Sequence, residues 1–130
     1  MNPWPKHPLI YEINTWVWLN ELSRKYGRTV TLATVPSEEW NYLSSFGADA
    51  IWMMGVWERS PVGIGISMQN QGNIEDFRRA LPDFAAQDNV GSPYCVRRYV
   101  VDEHLGGPQG LAAARNMLRE RGLRLCFYRL

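Results

Sequence analysis

The chain has 130 residues, a length that fits one domain. Hydrophobic residues make up 45% of the sequence and charged residues 21%, which indicates a globular rather than a disordered protein. The net charge of +1 gives no reason to expect a nucleic acid or a membrane surface as partner. No apolar run is long enough for a membrane span, and the N-terminus lacks the apolar core of a signal peptide.

The two cysteines, Cys95 and Cys126, have no metal-type spacing, and the sequence implies neither a bound metal nor a cofactor. We therefore expect a cytoplasmic protein with reduced thiols.

The first half of the chain predicts two strands with helical structure between them. Leu9–Ile13 alternates like a short strand, and residues 16–26 favour a helical turn or two that ends at Gly27. Residues 29–35 are β-prone or form an irregular connection. Ser37 is suited to cap a helix that runs to Phe46. Ala50–Met54 is a continuous apolar run, typical of a strand that is buried on both faces of a parallel sheet.

A long loop is predicted after the second strand. Residues 55–90 are rich in Gly, Pro, Gln and Asn, and they favour one short helix at Ile74–Leu81. Residues 91–102 follow as an extended loop. Loops of this length usually have a function.

The last 26 residues predict a turn, a helix and a strand. Pro108 suits a first helical turn, Gln109–Arg121 has an apolar stripe, and Gly122 suits the left-handed position that ends a helix. Leu123–Tyr128 then alternates like a strand. The whole order predicts an α/β fold of about three parallel strands with helices on one face.

In this order, four segments resemble the alpha-amylase family of glycoside hydrolases. They are the first strand (IYEINTWVWL), the second strand with Gly55 to Pro61, the loop GSPYCVRRYVVDEHLGG, and the helix GLAAARNMLRERGLRL. The resemblance covers nearly all of residues 7–125. It implies a partial TIM-type (β/α) barrel, since a complete barrel takes roughly 250 residues. Residues 1–130 would then be the truncated N-terminal portion of a catalytic barrel whose parent acts on α-glucosidic bonds in carbohydrate metabolism.

The chain also departs from the family. The family's third strand normally ends in Asp-x-x-x-Asn-His, whereas residues 125–130 contain none of these residue types, and Arg98 stands where the family has Asp. The family's catalytic carboxylates lie on strands four, five and seven, which are not in this chain. Glycoside hydrolysis needs two facing carboxylates, and nothing in the sequence makes Glu58 and Asp102 face each other. We therefore expect no catalytic residue, and a chain that is inactive by itself through truncation or a shifted reading frame.

Three aromatic residues are the candidate substrate-binding residues. The resemblance matches Tyr94 to a tyrosine that stacks on a sugar, and it places Tyr99 in the same loop. Trp57 follows the second strand, where sites form in such folds. Packing under a loop or in the core is the alternative for each, and Trp16 and Trp18 have the same ambiguity. The ligand of the parent would be an α-glucan or a small glucoside.

Two other readings stay open: a complete small α/β module that binds carbohydrate or a partner without catalysis, and a degenerate reading frame. The barrel reading also predicts self-association, because strands cut from a barrel expose two edges and the inner face. That face would present Trp52, with Leu125, Phe127 and Leu130 beside it.

Overall fold

The computed structural model describes residues 3–128 and divides into two compact units. Unit 1 comprises the chain up to Val56 together with the chain from Val100 onward, and unit 2 is Trp57–Tyr99. The elements in chain order are β1 (Ile10–Asn14), α1 (Thr15–Tyr26), α2 (Ser37–Ser44), β2 (Ala50–Met54), β3 (Trp57–Arg59), α3 (Pro61–Gln69), α4 (Gln71–Ala80), β4 (Val96–Val101), α5 (Gly107–Glu120) and β5 (Arg124–Cys126).

Unit 1 is built on a parallel sheet with the strand order β1-β2-β5. Ile10 pairs with Ala50 and Ala50 pairs with Arg124, so the three strands are in register from their first residues. The prediction of three parallel strands is confirmed. Over residues 3–128 the sheet stays open, with β1 and β5 as its edges, and the predicted barrel geometry does not close.

The helices of unit 1 begin and end at local signals. The Asn14 side chain accepts a hydrogen bond from the Val17 N–H at the start of α1, and Gly27 ends the helix with φ of 63°. The predicted turn or two is in fact a helix of 12 residues. Pro36, rather than Ser37, is the cap residue of α2, and Ser37 is its first helical residue. Gly122 lies in the left-handed region after α5, as predicted.

The two faces of the sheet differ in their environment. On one face Ile13, Ile51 and Met53 are buried, together with Trp40 of α2 and Leu118 of α5. The two crossover helices α2 and α5 also pack against each other. Most side chains of the other face are exposed or half-buried, and we call this the bare face: Ile10, Glu12, Trp52, Met54, Arg124 and Cys126.

The predicted long loop after β2 is wrong in most of its length, because unit 2 contains regular structure. Ser60 accepts a hydrogen bond from the Gly63 N–H and starts α3, with Pro61 in its first turn. Asn70 caps α4 in the same way, so the predicted helix at Ile74–Leu81 is present but begins earlier. The predicted extended loop at 91–102 instead contains β4, which pairs with β3.

The two positions between which the chain departs from unit 1 lie next to each other. The Asp102 N–H donates a hydrogen bond to the Val56 carbonyl, with 2.9 Å between nitrogen and oxygen. Residues 57–101 thus start and finish at neighbouring positions. Within residues 3–128, every helix is too short or too polar to cross a bilayer.

Candidate functional site

A cleft of about 430 Å³ lies in unit 1 beside the edge strand β1, between α1 and α2. We call it the β1 cleft. Its volume falls in the range typical of small-molecule sites. One part of its lining is aromatic, from Tyr11, Trp18, Tyr42 and Phe46. Another part is charged: Glu21, Lys25 and Glu39.

Phe46 holds the aromatic wall of the cleft together. The Tyr11 and Phe46 ring centroids lie 4.8 Å apart, and the Tyr42 and Phe46 centroids lie 4.9 Å apart, both in edge-to-face geometry. Tyr42 lies in the last turn of α2, and the turn that follows the helix, closed by the Phe46 N–H donating to the Leu43 carbonyl, brings the Phe46 ring to the same side. Tyr11 is 43% exposed and Tyr42 63% exposed, so the wall presents ring surface to solvent.

Trp18 extends the lining from α1. Its ring lies 5.5 Å from that of the buried Trp40, again edge to face. Such aromatic pairs contribute about 0.5–1.5 kcal/mol beyond their buried area, which is enough to fix the orientation of the rings.

Glu39 is the buried carboxylate of the cleft. It accepts hydrogen bonds from Lys25 Nζ and from the Tyr26 hydroxyl, the latter at 2.7 Å, and the same hydroxyl lies 3.1 Å from Glu38 Oε1. Burial by itself raises the pKa of Glu39, but the hydrogen bonds from Lys25 and Tyr26 outweigh it and leave the pKa below its usual value. Burial, followed by the hydrogen bonds to Glu39 and Glu38, raises the pKa of Tyr26. At neutral pH Glu39 is therefore an ionised acceptor.

Glu21 is an exposed carboxylate at the same cleft, whereas the neighbouring Glu12 side chain belongs to the bare face of the sheet. Over the described part of the chain, no three acidic, histidine or cysteine side chains come close enough together to hold a metal ion.

The sequence-predicted Trp57 and Tyr99 lie together in unit 2. Their ring centroids are 5.6 Å apart with an interplanar angle of 85°. Position 57 faces position 99, and the Ser60 N–H donates to the Cys95 carbonyl at 2.7 Å, so β3 and β4 run antiparallel. Trp57 is half-buried and Tyr99 is 37% exposed. Both residues therefore combine packing with some ring exposure.

Tyr94 stands apart from that pair in its contacts. Its N–H donates to Ser92 Oγ at 3.2 Å, its ring is 64% exposed, and within the described chain the ring contacts no other aromatic ring. The structure thus brings two of the three predicted residues together and leaves the third at an exposed turn.

Glu58 and Asp102 each have a structural partner. Arg98 donates from Nε and Nη2 to Glu58 Oε2, at 3.0 and 2.6 Å, and Arg97 lies 3.1 Å from Oε1. The hydrogen bonds from Arg98 are the main reason that the pKa of Glu58 is lowered. Asp102 Oδ1 accepts from the His104 N–H at 2.9 Å and caps a short 3₁₀ helix.

Sequence reasoning missed most of the β1 cleft. The sequence predicts Tyr11 only as part of a strand and leaves the role of Trp18 open, and it gives no signal for the burial of Glu39. No protein-family model matches this chain, and comparison with curated proteins and with solved structures finds no significant match.

Proposed function

We propose that the chain binds a carbohydrate in the β1 cleft without cleaving it. One observation carries the proposal: two tyrosine rings held by Phe46 present exposed surface in a cleft that also contains the carboxylates of Glu21 and Glu39. The proposal develops the reading of the sequence as a non-catalytic carbohydrate-binding module.

The chemistry of a sugar suits this lining. A pyranose ring has an apolar C–H surface, which packs on an aromatic face, and a rim of hydroxyl groups that donate hydrogen bonds. Tyr11 and Tyr42 supply aromatic surface, while Glu21 supplies an acceptor at the open side. Hydrogen bonds to charged acceptors contribute about 1.5–3 kcal/mol each, more than those to neutral groups.

The state of Glu39 argues against hydrolysis at this cleft. A glycosidase needs a carboxylic acid that is protonated near neutral pH, which requires a raised pKa. The pKa of Glu39 is lowered instead, because Lys25 and Tyr26 stabilise its ionised form. Glu39 therefore does not fit the role of the proton donor, which supports binding without cleavage.

The test is a titration of the purified chain with maltose, cellobiose and the disaccharide of N-acetylglucosamine. Binding is measured by calorimetry and by tryptophan fluorescence. Tyr42→Ala removes ring surface from the cleft and should weaken binding about tenfold, since one aromatic contact contributes about 1.4 kcal/mol. Tyr94→Ala is the matched control, because Tyr94 is exposed to the same degree, 64% against 63%, in the other unit.

Unchanged sugar affinity in the control, together with weaker sugar binding in Tyr42→Ala, would support the β1 cleft as the binding site. The reverse pattern would contradict it and favour Tyr94, Trp57 and Tyr99 as the binding residues. Absence of binding to all three sugars at millimolar concentration would overturn the proposal.

A second candidate function is supported by the sheet. Three parallel strands that follow one another in chain order, with one buried and one bare face, are what the opening strands of a TIM-type barrel would form. On this reading the chain is part of an alpha-amylase-like enzyme that acts on α-glucosidic bonds. The test is to translate the adjoining coding DNA in all frames and search for Asp-x-x-x-Asn-His and further strands. An adjoining sequence without them would remove this candidate.

A cytoplasmic location remains a prediction from the sequence. Cys95 is an exposed free thiol and provides the probe. A membrane-impermeant thiol reagent should label it in lysed cells and not in intact cells.

A further inference from the structure

The bare face of the sheet has an apolar centre. A groove of about 190 Å³ lies there, lined by Ile10, Trp52, Cys126, Phe127 and Tyr128. Ile10, Phe127 and Tyr128 are among the exposed large hydrophobic residues, and Trp52 is half-buried. Contiguous apolar surface of this kind is typical of a contact surface for another molecule.

Opposite charges flank this centre on the two edge strands. Glu12 lies on β1 in the same row as Trp52 and Cys126, and Arg124 lies on β5 one row earlier. The Arg124 guanidinium is 4.8 Å from the centroid of the Trp4 ring, which holds the positive charge at the β5 edge. The face therefore has one carboxylate on the β1 edge, an apolar centre and one guanidinium on the β5 edge.

We propose that a second copy of this chain covers the bare face in a two-fold symmetric dimer. A rotation axis parallel to the strands and passing above Trp52 places the β1 edge of one copy over the β5 edge of the other. Each Glu12 then lies over the Cys126 row of the other copy, about 7 Å along the strand from Arg124 and within reach of its long side chain, and this happens twice because a two-fold interface is self-complementary. The charge pattern selects a second copy over an unrelated partner, since the face complements itself.

The size of the face sets the strength of the dimer. Three strands about 4.8 Å apart, two of five residues and one of three at about 3.3 Å per residue, cover at most roughly 15 by 17 Å. Stable dimers bury about 800 Å² on each partner, several times this area. Trp4, Phe127 and Tyr128 enlarge the contact, yet the dimer should be weak and depend on concentration.

The experiment is sedimentation velocity of the whole chain from about 5 to about 500 μM, a span that brackets weak protein association. The unmodified 130-residue chain should shift from monomer to dimer within this concentration range. Glu12→Arg and Arg124→Glu each place like charges opposite one another and should raise the dimer dissociation constant at least tenfold. The double variant E12R/R124E restores the complementarity and should return the constant to within about threefold of the parent value.

A matched control changes the same charges elsewhere. Glu120→Arg and Arg115→Glu alter exposed residues of α5 and should leave association unchanged. Circular dichroism checks that every variant is folded. A parent chain that stays monomeric, or that forms species larger than a dimer by pairing strand edges, would overturn the proposal. So would a folded double variant that fails to recover.

Discussion

Glu39 is the residue on which the inner wall of the β1 cleft depends. Its carboxylate is buried, whereas the Lys25 side chain that pairs with it is 60% exposed. Removing the charge leaves the Lys25 and Tyr26 donors with a poorer acceptor. Glu39→Gln should therefore lower the free energy of unfolding at pH 7 by about 1–3 kcal/mol.

The same residue sets part of the pH dependence. A carboxyl group whose pKa is lower in the folded state stabilises the fold above its unfolded pKa of about 4.3. That stabilisation is lost as the pH falls through the folded pKa. Urea unfolding from pH 3 to 7 should show that the free energy of unfolding of the unmodified chain falls steeply toward acid pH, and that it falls less steeply in Glu39→Gln.

The control for this residue is its neighbour. Glu38 is exposed and shares only the longer contact with Tyr26. Glu38→Gln should change the unfolding free energy by less than about 0.5 kcal/mol, as surface substitutions usually do. Equal effects from the two substitutions would mean that the Glu39 contacts contribute little.

Single residues with local roles were predictable from sequence. Gly27 and Gly122 end helices, and Pro108 lies in the first turn of α5, because each of these preferences depends on the residue's own backbone. The burial of Glu39 was not predictable, since it depends on Lys25, which is 14 positions away in the sequence.

At the scale of elements, α3 and α4 differ from the helices of unit 1. Neither helix contains a buried residue, and Val62 and Ile66 of α3 are 70% and 65% exposed. Helices without buried side chains open at low free-energy cost. Amides of residues 61–80 should therefore exchange at least about 100-fold faster than those of β2, where Ile51 and Met53 are fully buried.

Hydrogen exchange measured by NMR or mass spectrometry checks this difference. The amides of α1, a helix with buried Leu19 and Leu22, serve as the reference for a packed helix. If the amides of α3 were protected from exchange as well as those of α1, α3 would be stabilised by more than the burial of its side chains, and the prediction would be wrong.

The strands were easier to predict than the insertion between them. Ala50–Met54 is a continuous apolar run, and a run of this kind has one stable location, inside a parallel sheet. The helix α3 contains Gly63 and Gly65 and has no apolar stripe, so its sequence resembles a loop. The Ser60 cap at its start and the Asn70 N–H, which donates to the Ser67 carbonyl at its end, define the helix instead.

At the scale of the whole molecule, unit 1 contains both the sheet and the β1 cleft, and its chain ends at Val56 and resumes at Val100. Replacing residues 57–99 with a Gly/Ser linker of about four residues should leave a folded unit 1, because short flexible linkers close such gaps with little entropy cost. The shortened chain should keep its sugar affinity within about threefold of the parent value, a difference under about 0.7 kcal/mol.

Calorimetry on the shortened chain makes this measurement, and its far-ultraviolet circular dichroism reports folding. A folded but non-binding chain would move the site to unit 2 and thus to Trp57, Tyr94 or Tyr99. The sequence led to those three residues through the family resemblance, whereas the cleft arises from residues that only the folded chain brings together.

The hydrogen bond between Asp102 and Val56 has a further consequence for how this molecule can change over time. It holds Val56 and Asp102 side by side, so the sheet does not depend on the length of the segment between them; for a flexible loop, doubling the length costs only about 0.6 kcal/mol. Length changes in this segment therefore leave the sheet almost untouched, whereas a single added residue in β2 would reverse which side chains face the core. Related chains should therefore differ in length mainly between Val56 and Asp102, and an alignment of such chains checks this.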